Sequence, residues 1–231
     1  MLDETFDALK TYDWGVDPKV LRPLDDAVVA AHGNAAACKE LEDRLLAVLK
    51  TEVPRAAKDA VCRLLRTIGS VASIPVLTAL LADEKLSHMA RYALERIPAP
   101  EADQALRSAL PKVAPKIKIG VISSLGARRE ATAIPALQIM LASTDPGVAQ
   151  SAANALGAIA LPDANKALAA IKPTPATKAA IADASLACAE NLLAHGRKPD
   201  AKATYERILA SNPTKPVKLA ATRGLQACSA S

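Results

Sequence analysis

Aromatic side chains are scarce in this sequence: one Phe, three Tyr and one Trp amount to 2% of 231 residues. Surfaces that grip bases or flat prosthetic groups rely on aromatic stacking, and only Phe6, Tyr12, Trp14, Tyr92 and Tyr205 can supply it. Trp14 reads as a core residue of an N-terminal cap. Strand signals are missing too, since no stretch sustains apolar–polar alternation with β-branched or aromatic enrichment. Nor is there a long apolar run. The longest uncharged stretch, Pro146 to Pro162, is interrupted by Gln150, Ser151 and Asn154 and falls short of the ~20 residues a spanning helix needs. Residues 1–15 carry Asp3, Glu4, Asp7 and Asp13 without a continuous apolar segment, which is not a secretory leader. A soluble, cytoplasmic chain without membrane attachment is the expectation.

Reactive clusters are equally sparse. Cys38, Cys62, Cys188 and Cys228 show no CxxC spacing and no zinc-type His pairing, so four buried free thiols are expected; a Cys38–Cys62 bridge would need an oxidising compartment. His32, His88 and His195 lie in three separate segments, and no His-Glu dipeptide occurs. His32 and His195 each precede a glycine, as an imidazole near a negative helix end would. There is no GxxxxGK[ST], GxGxxG or GxSxG, so nucleotide binding and hydrolase chemistry have no motif. Neither a cofactor nor a catalytic residue is expected.

What the chain does have is Ala, Leu, Val and Ile, with 51% hydrophobic residues overall and a net charge of +5. Proline and glycine punctuate it regularly. Pro18, Pro54, Pro75, Pro115, Pro135, Pro146, Pro162, Pro175, Pro199 and Pro213 sit where first helical turns are expected, and Gly33, Gly69, Gly126 and Gly196 where helices should close. Between these marks apolar residues recur at helical spacing, as in Leu41, Leu45 and Leu49, or Val61, Leu64, Leu65 and Ile68. Fourteen helices of about a dozen residues are predicted, near 3–12, 18–32, 35–50, 55–68, 72–82, 86–97, 101–110, 115–125, 132–142, 147–159, 163–171, 175–195, 199–210 and 215–227.

The sequence also repeats. Asp83–Ile97 matches Asp145–Ile159 at an offset of 62, with Ala90/Ala152, Ala93/Ala155, Leu94/Leu156 and Ile97/Ile159 coinciding. The segments before them match at an offset of 60, Ile74-Pro75-Val76-Leu77 against Ile134-Pro135-Ala136-Leu137, and a further pair ends at Leu125-Gly126 as another does at Ile68-Gly69. A helix–turn–helix unit of this size buries its stripe only against stacked neighbours.

Ile134, Pro135, Leu137 and Leu141, the Asp145-Pro146 turn, and Val148, Ala152, Ala155, Leu156, Gly157 and Ile159 together resemble the HEAT repeat family, in particular the short Ala-rich bacterial repeats grouped as PBS-lyase-like. Other copies depart from the pattern, with Glu95 and Arg66 in place of Gly157 and Lys118 in place of Ala152. The resemblance covers roughly Asn34 to Ile171. It implies an all-α, right-handed alpha-alpha superhelix of the armadillo type, with capping helices at 1–33, repeats at 34–171 and C-terminal helices at 172–231. In the last part Asp200–Leu209 and Asn212-Pro213 resemble a tetratricopeptide pair.

For function the resemblance implies a non-catalytic scaffold that presents the second helix of each pair, on the concave side, to a protein partner. With Leu86, Ala90, Ala93, Leu94 and Ile97 as the buried stripe, Ser87, His88, Arg91, Tyr92 and Glu95 face outward. The same register exposes Lys58, Asp59, Cys62, Arg63 and Arg66 in the preceding repeat. In the repeats that follow it exposes Lys116, Ile119, Ser123 and Ser124, then Gln150, Asn154 and Ala158. Arg63, Arg66, His88, Arg91, Tyr92, Glu95, Lys116 and Asn154 are the candidate partner-binding residues, with an acidic partner segment as the simplest complement. An Arg91–Glu95 pair one turn apart is the plainer reading of that helix. A nucleic-acid-binding solenoid is the alternative, through Lys112, Lys116, Lys118, Arg128 and Arg129, although Glu130 dilutes that cluster. HEAT-fold relatives suggest three enzymes. A tetrapyrrole lyase would want a groove richer in aromatics and acids, an iron hydroxylase would use the missing His-Glu pairs, and a DNA glycosylase would need an aromatic and acidic pair near Trp14. Val217, Leu219, Ala220 and Leu225 in the last helix suggest an incompletely capped end, hence self-association or a continuation.

Overall fold

The computed structural model describes residues 2–229. They form fourteen α-helices and four 3-10 turns, with no strand among the described residues. The helices are α1 (Leu2–Ala8), α2 (Arg22–Ala30), α3 (Ala35–Leu49), α4 (Arg55–Ile68), α5 (Ile74–Ala79), α6 (Ser87–Leu94), α7 (Pro100–Ala109), α8 (Pro115–Ala127), α9 (Ile134–Leu141), α10 (Pro146–Ile159), α11 (Pro162–Ala170), α12 (Lys178–Ala194), α13 (Lys198–Ala210) and α14 (Lys215–Ser229). None of them is long and apolar enough to cross a membrane.

Their ends follow from backbone chemistry. The first N–H groups of a helix lack intrahelical acceptors, so a proline costs nothing there and a side-chain oxygen is useful. Proline occupies the first positions of α2, α5, α7, α9, α10, α11 and α13. Pro175 and Pro213 instead fall in the turns ahead of α12 and α14. The sequence repeat reappears as a repeat of hydrogen bonds. Asp83 Oδ1 accepts from the N–H groups of Lys85 (2.7 Å) and Leu86 (3.1 Å), and Asp145 Oδ1 from those of Gly147 (2.8 Å) and Val148 (3.1 Å), 62 positions later. Ahead of the first helices, Ser70 Oγ accepts from Ala72 N, and 60 positions on, Glu130 Oε1 accepts from Thr132 N. Both sit at the start of matching 3-10 turns, Val71–Ser73 and Ala131–Ala133.

The chain divides into two compact units, Met1–Ile117 and Lys118–Ser231, the boundary falling inside α8. In the first, Leu9, Leu24, Leu45, Leu65, Leu77, Leu81, Leu94 and Leu106 are buried completely or nearly so. Buried Glu42 of α3 supports the start of α5: its carboxylate accepts from Ser70 N (2.7 Å), Ser70 Oγ (3.0 Å and 2.8 Å) and Ser73 Oγ (2.5 Å). Arg44 ties α1 down by pairing with Asp3 and lying over the Phe6 ring, 4.0 Å from its centre.

In the second unit successive second helices approach closely through glycine. A Cβ on Gly126 would stand 2.8 Å from Ala155 Cα, and one on Gly157 would stand 2.7 Å from Ala184 Cα. Gly126 thus lies within α8 instead of closing it, as its place after Leu125 had suggested, and serves contact with α10. Its equivalence to Gly157 puts Val121, fully buried, rather than Lys118 at the position of Ala152. At the end of the unit the Tyr205 ring packs directly on the backbone of Gly224. Of the four apolar residues expected at an open end, Val217 is buried, Ala220 and Leu225 are half-buried and Leu219 is exposed.

Two further expectations are corrected. Trp14 is 63% exposed, because α1 stops at Ala8 and the chain turns through Gly15 at φ 96°; Tyr12 takes the buried place. All four cysteines are free, and Cys62 and Cys188 are buried, but Cys38 and Cys228 are only half-buried.

Candidate functional site

Helices α4 and α6 pack side by side in the first unit, and six of the candidate residues lie on them. A second helix touches both its own partner helix and the neighbouring second helices, so its buried face is wider than a single stripe. On α4, Ala56, Ala57, Asp59, Ala60, Val61, Cys62, Leu64 and Leu65 are all buried. Asp59, Cys62 and Ser87, expected outward, are therefore inside, as is Ser124 on α8. Arg63 and His88 are exposed, while Arg66, Arg91, Tyr92 and Glu95 are half-buried.

These half-buried groups organise one another. The Arg66 guanidinium lies over the Tyr92 ring, 4.3 Å from its centre, a cation–π contact across the two helices. Arg91 Nη2 stands 3.4 Å from His88 Nδ1. Desolvation draws the Arg91 pKa below the usual guanidinium range, against the attraction of Glu95, so the pairing one turn apart is present as an electrostatic contact. Beneath them, burial raises the Asp59 carboxyl above its ordinary value in spite of Arg55, Arg63 and His88 nearby. Arg55 Nε reaches Asp59 Oδ2 at 3.6 Å. Burial, helped by Asp59, pushes the Cys62 thiol up to about 12, which removes it as a nucleophile near neutral pH. Four guanidinium groups, Arg55, Arg63, Arg66 and Arg91, thus face two carboxylates, Asp59 and Glu95, and the surface is basic.

Arg63 also belongs to a groove between α2 and α4. Tyr12, Pro18, Leu21, Asp25, Val28, Val29, Ala60, Arg63, Leu64 and Thr67 enclose about 510 Å³ there. The sequence reading missed its α2 side. A signal was present: Leu21, Leu24 and Val28 form the buried stripe of that segment, whereas Val29 stands out of register and is 74% exposed. Of the remaining candidates, Lys116 is exposed in the first turn of α8, and Asn154 is exposed on α10 in the second unit. Neither belongs to the α4–α6 cluster.

Short helix pairs, capped and turned alike in successive copies, define an all-α helical-repeat protein. Its repeats are HEAT repeats: the family model of that description matches residues 104–187. Among solved structures, human deoxyhypusine hydroxylase in complex with glycerol is similar at 17% identity, over 82% of this chain and 96% of that one, with a TM-score of 0.41. An engineered protein is similar at 21% identity over 98% of both chains, with a TM-score of 0.30. At these values neither likeness bears on what the chain does. No curated protein matches it significantly.

Proposed function

We propose that the chain is a non-catalytic scaffold that binds a protein partner on the α4–α6 face of its first unit. The observation that carries this reading is the row formed by Arg63, Arg66 over Tyr92, and Arg91 beside His88. Arginine and tyrosine held in place by packing lose little freedom on binding, which is why such residues dominate the energetics of interfaces. Half-buried guanidinium groups are partly desolvated before any partner arrives, so a carboxylate placed on them gains more than on a fully hydrated cation. HEAT repeats offer extended surfaces of this kind.

The basic residues considered for nucleic acid favour that alternative less. Lys112 and Lys116 fall at the start of α8 and Arg128 and Arg129 at its end, which spreads them over roughly 18 Å at 1.5 Å per residue. The test is capture of partners from source lysate by the wild-type chain and by the Arg63→Glu/His88→Glu double variant. Both residues are exposed, so melting should be unchanged. Lost capture with an unchanged melt supports the reading; unchanged capture refutes it. Material displaced by nuclease treatment would point to nucleic acid instead.

A further inference from the structure

We infer that the groove between α2 and α4 is an anchor pocket for a partner polypeptide, holding one large apolar side chain whose flanking residues are cationic on one side and acidic on the other. The inference rests on the scaffold reading and adds the chemistry and register of its ligand.

The pocket is apolar below and open above. Tyr12, Leu21, Val28 and Leu64 line it, and its volume of about 510 Å³ lies within the roughly 300–1,000 Å³ of pockets that enclose small ligands. A Leu or Phe side chain fits with part of its backbone. The apolar surface continues outward. Among the described residues eight large hydrophobics are exposed, and four of them, Trp14, Val16, Val20 and Val29, fall within residues 14–29. Scattered exposed hydrophobics need no explanation, but a concentration of them marks an interaction surface. The stretch that gives Tyr12 and Pro18 to the groove also carries the chain's single Trp, 63% exposed.

Charge chooses the occupant. On the α4 side Arg63 lines the groove and donates no hydrogen bond among the described residues, with Arg66 and Arg91 beyond it. On the other side Asp25 lines the groove, and residues 13–26 hold Asp13, Asp17, Asp25 and Asp26 against Lys19 and Arg22. A polyanion would meet carboxylates and exposed valines along half its path. A peptide with the order basic, apolar, acidic meets a complement at each position.

Trp14 supplies the readout, because no other tryptophan is present. The probes are synthetic, Trp-free peptides with a Leu-Phe centre, two lysines on one flank and two glutamates on the other, made in both chain directions. Companions replace the centre by Ser-Ser or make both flanks lysine, and a single-stranded oligonucleotide of matching length serves as the polyanion. The full chain is titrated as wild type, Arg63→Glu and Val29→Glu, with circular dichroism to check the fold. One direction of the dipolar peptide should shift Trp14 emission to shorter wavelength and saturate. The Ser-Ser centre, Val29→Glu and Arg63→Glu should each weaken binding about tenfold or more, and the all-lysine flanks should restore binding to Arg63→Glu. No saturable response to either direction, with the fold intact, overturns the inference, as does tighter binding of the oligonucleotide than of any peptide. Peptide failure alongside lost lysate capture by Arg63→Glu/His88→Glu would sink the groove alone. Peptide success with unchanged capture would keep the groove and sink the α4–α6 face.

Discussion

Replacing Gly157 with Ala puts a methyl group where α12 already lies. The added Cβ would stand 2.7 Å from Ala184 Cα and 2.9 Å from Ala184 Cβ, whereas carbon atoms in contact prefer roughly 3.5–4.0 Å. Neither obstacle is the tip of a flexible side chain, so α10 and α12 must part by about 1 Å. Overpacking of this kind costs about 1–3 kcal/mol. Alanine in a helix interior returns about 0.8–1.0 kcal/mol relative to glycine. With backbone as the obstacle the upper part of the first range applies, and the net expectation is a loss of about 1–2 kcal/mol. Urea unfolding followed by far-UV circular dichroism measures it, with Asn154→Ala as control. Asn154 is exposed on the same helix, so its replacement changes helix propensity with no clash and should stabilise by less than about 1 kcal/mol. If Gly157→Ala were stabilised by the full propensity gain, the close approach of α10 and α12 would be refuted.

Three other outcomes follow from the structure. Asp59 is held above its ordinary pKa of 3.8 by burial, so the folded chain keeps a proton that the unfolded chain releases once the pH exceeds that value. The group's stabilising contribution is whole below it and declines as pH rises through the folded value. Asp59→Asn should therefore raise the melting temperature at neutral pH, with the gain shrinking toward pH 3.8; a loss at neutral pH would mean that Arg55 and Arg63 outweigh burial. Leu94 is fully buried, and Leu94→Ala should cost about 2–5 kcal/mol in denaturant unfolding, a cost under 1 kcal/mol being incompatible with its place in the core. Burial pushes the thiols of Cys62 and Cys188 up to about 12 and about 11, so a disulfide reagent at mildly alkaline pH should label Cys38 and Cys228 first and the other two only on unfolding; four equal rates would contradict the packing.

The helices were legible because proline, glycine and Asp or Ser caps act within a few residues of where they stand. The α4 prediction, 55–68, agrees with the helix found, and the Asp83/Asp145 correspondence is reproduced down to its hydrogen bonds. Side-chain direction was less legible. A single stripe suits a helix packed on one side, and it misplaced Asp59, Cys62, Ser87 and Ser124, whose burial comes from neighbouring repeats that no local period encodes. Trp14 was misplaced for a related reason: once α1 ends at Ala8, helical spacing says nothing about the residues after it. Of the candidate surface, Arg63, Arg66, His88, Arg91, Tyr92 and Glu95 do come together, but the stacking of Arg66 on Tyr92 depends on how α4 and α6 are set against each other, which the sequence pattern left open.

The residue that follows the recurring leucine of each second helix is Arg66, Glu95, Gly126 and Gly157 in turn. Where it is glycine, the adjoining helix comes to backbone contact; where it is Arg66, the space holds a guanidinium laid over an aromatic ring. Arginine and glutamate codons each lie one nucleotide from a glycine codon. A single base change can thus convert a sealed joint between repeats into a charged one, or the reverse, while the caps and turns that set the backbone stay untouched. A gene built this way can acquire or discard recognition surfaces one joint at a time without first having to redesign its fold.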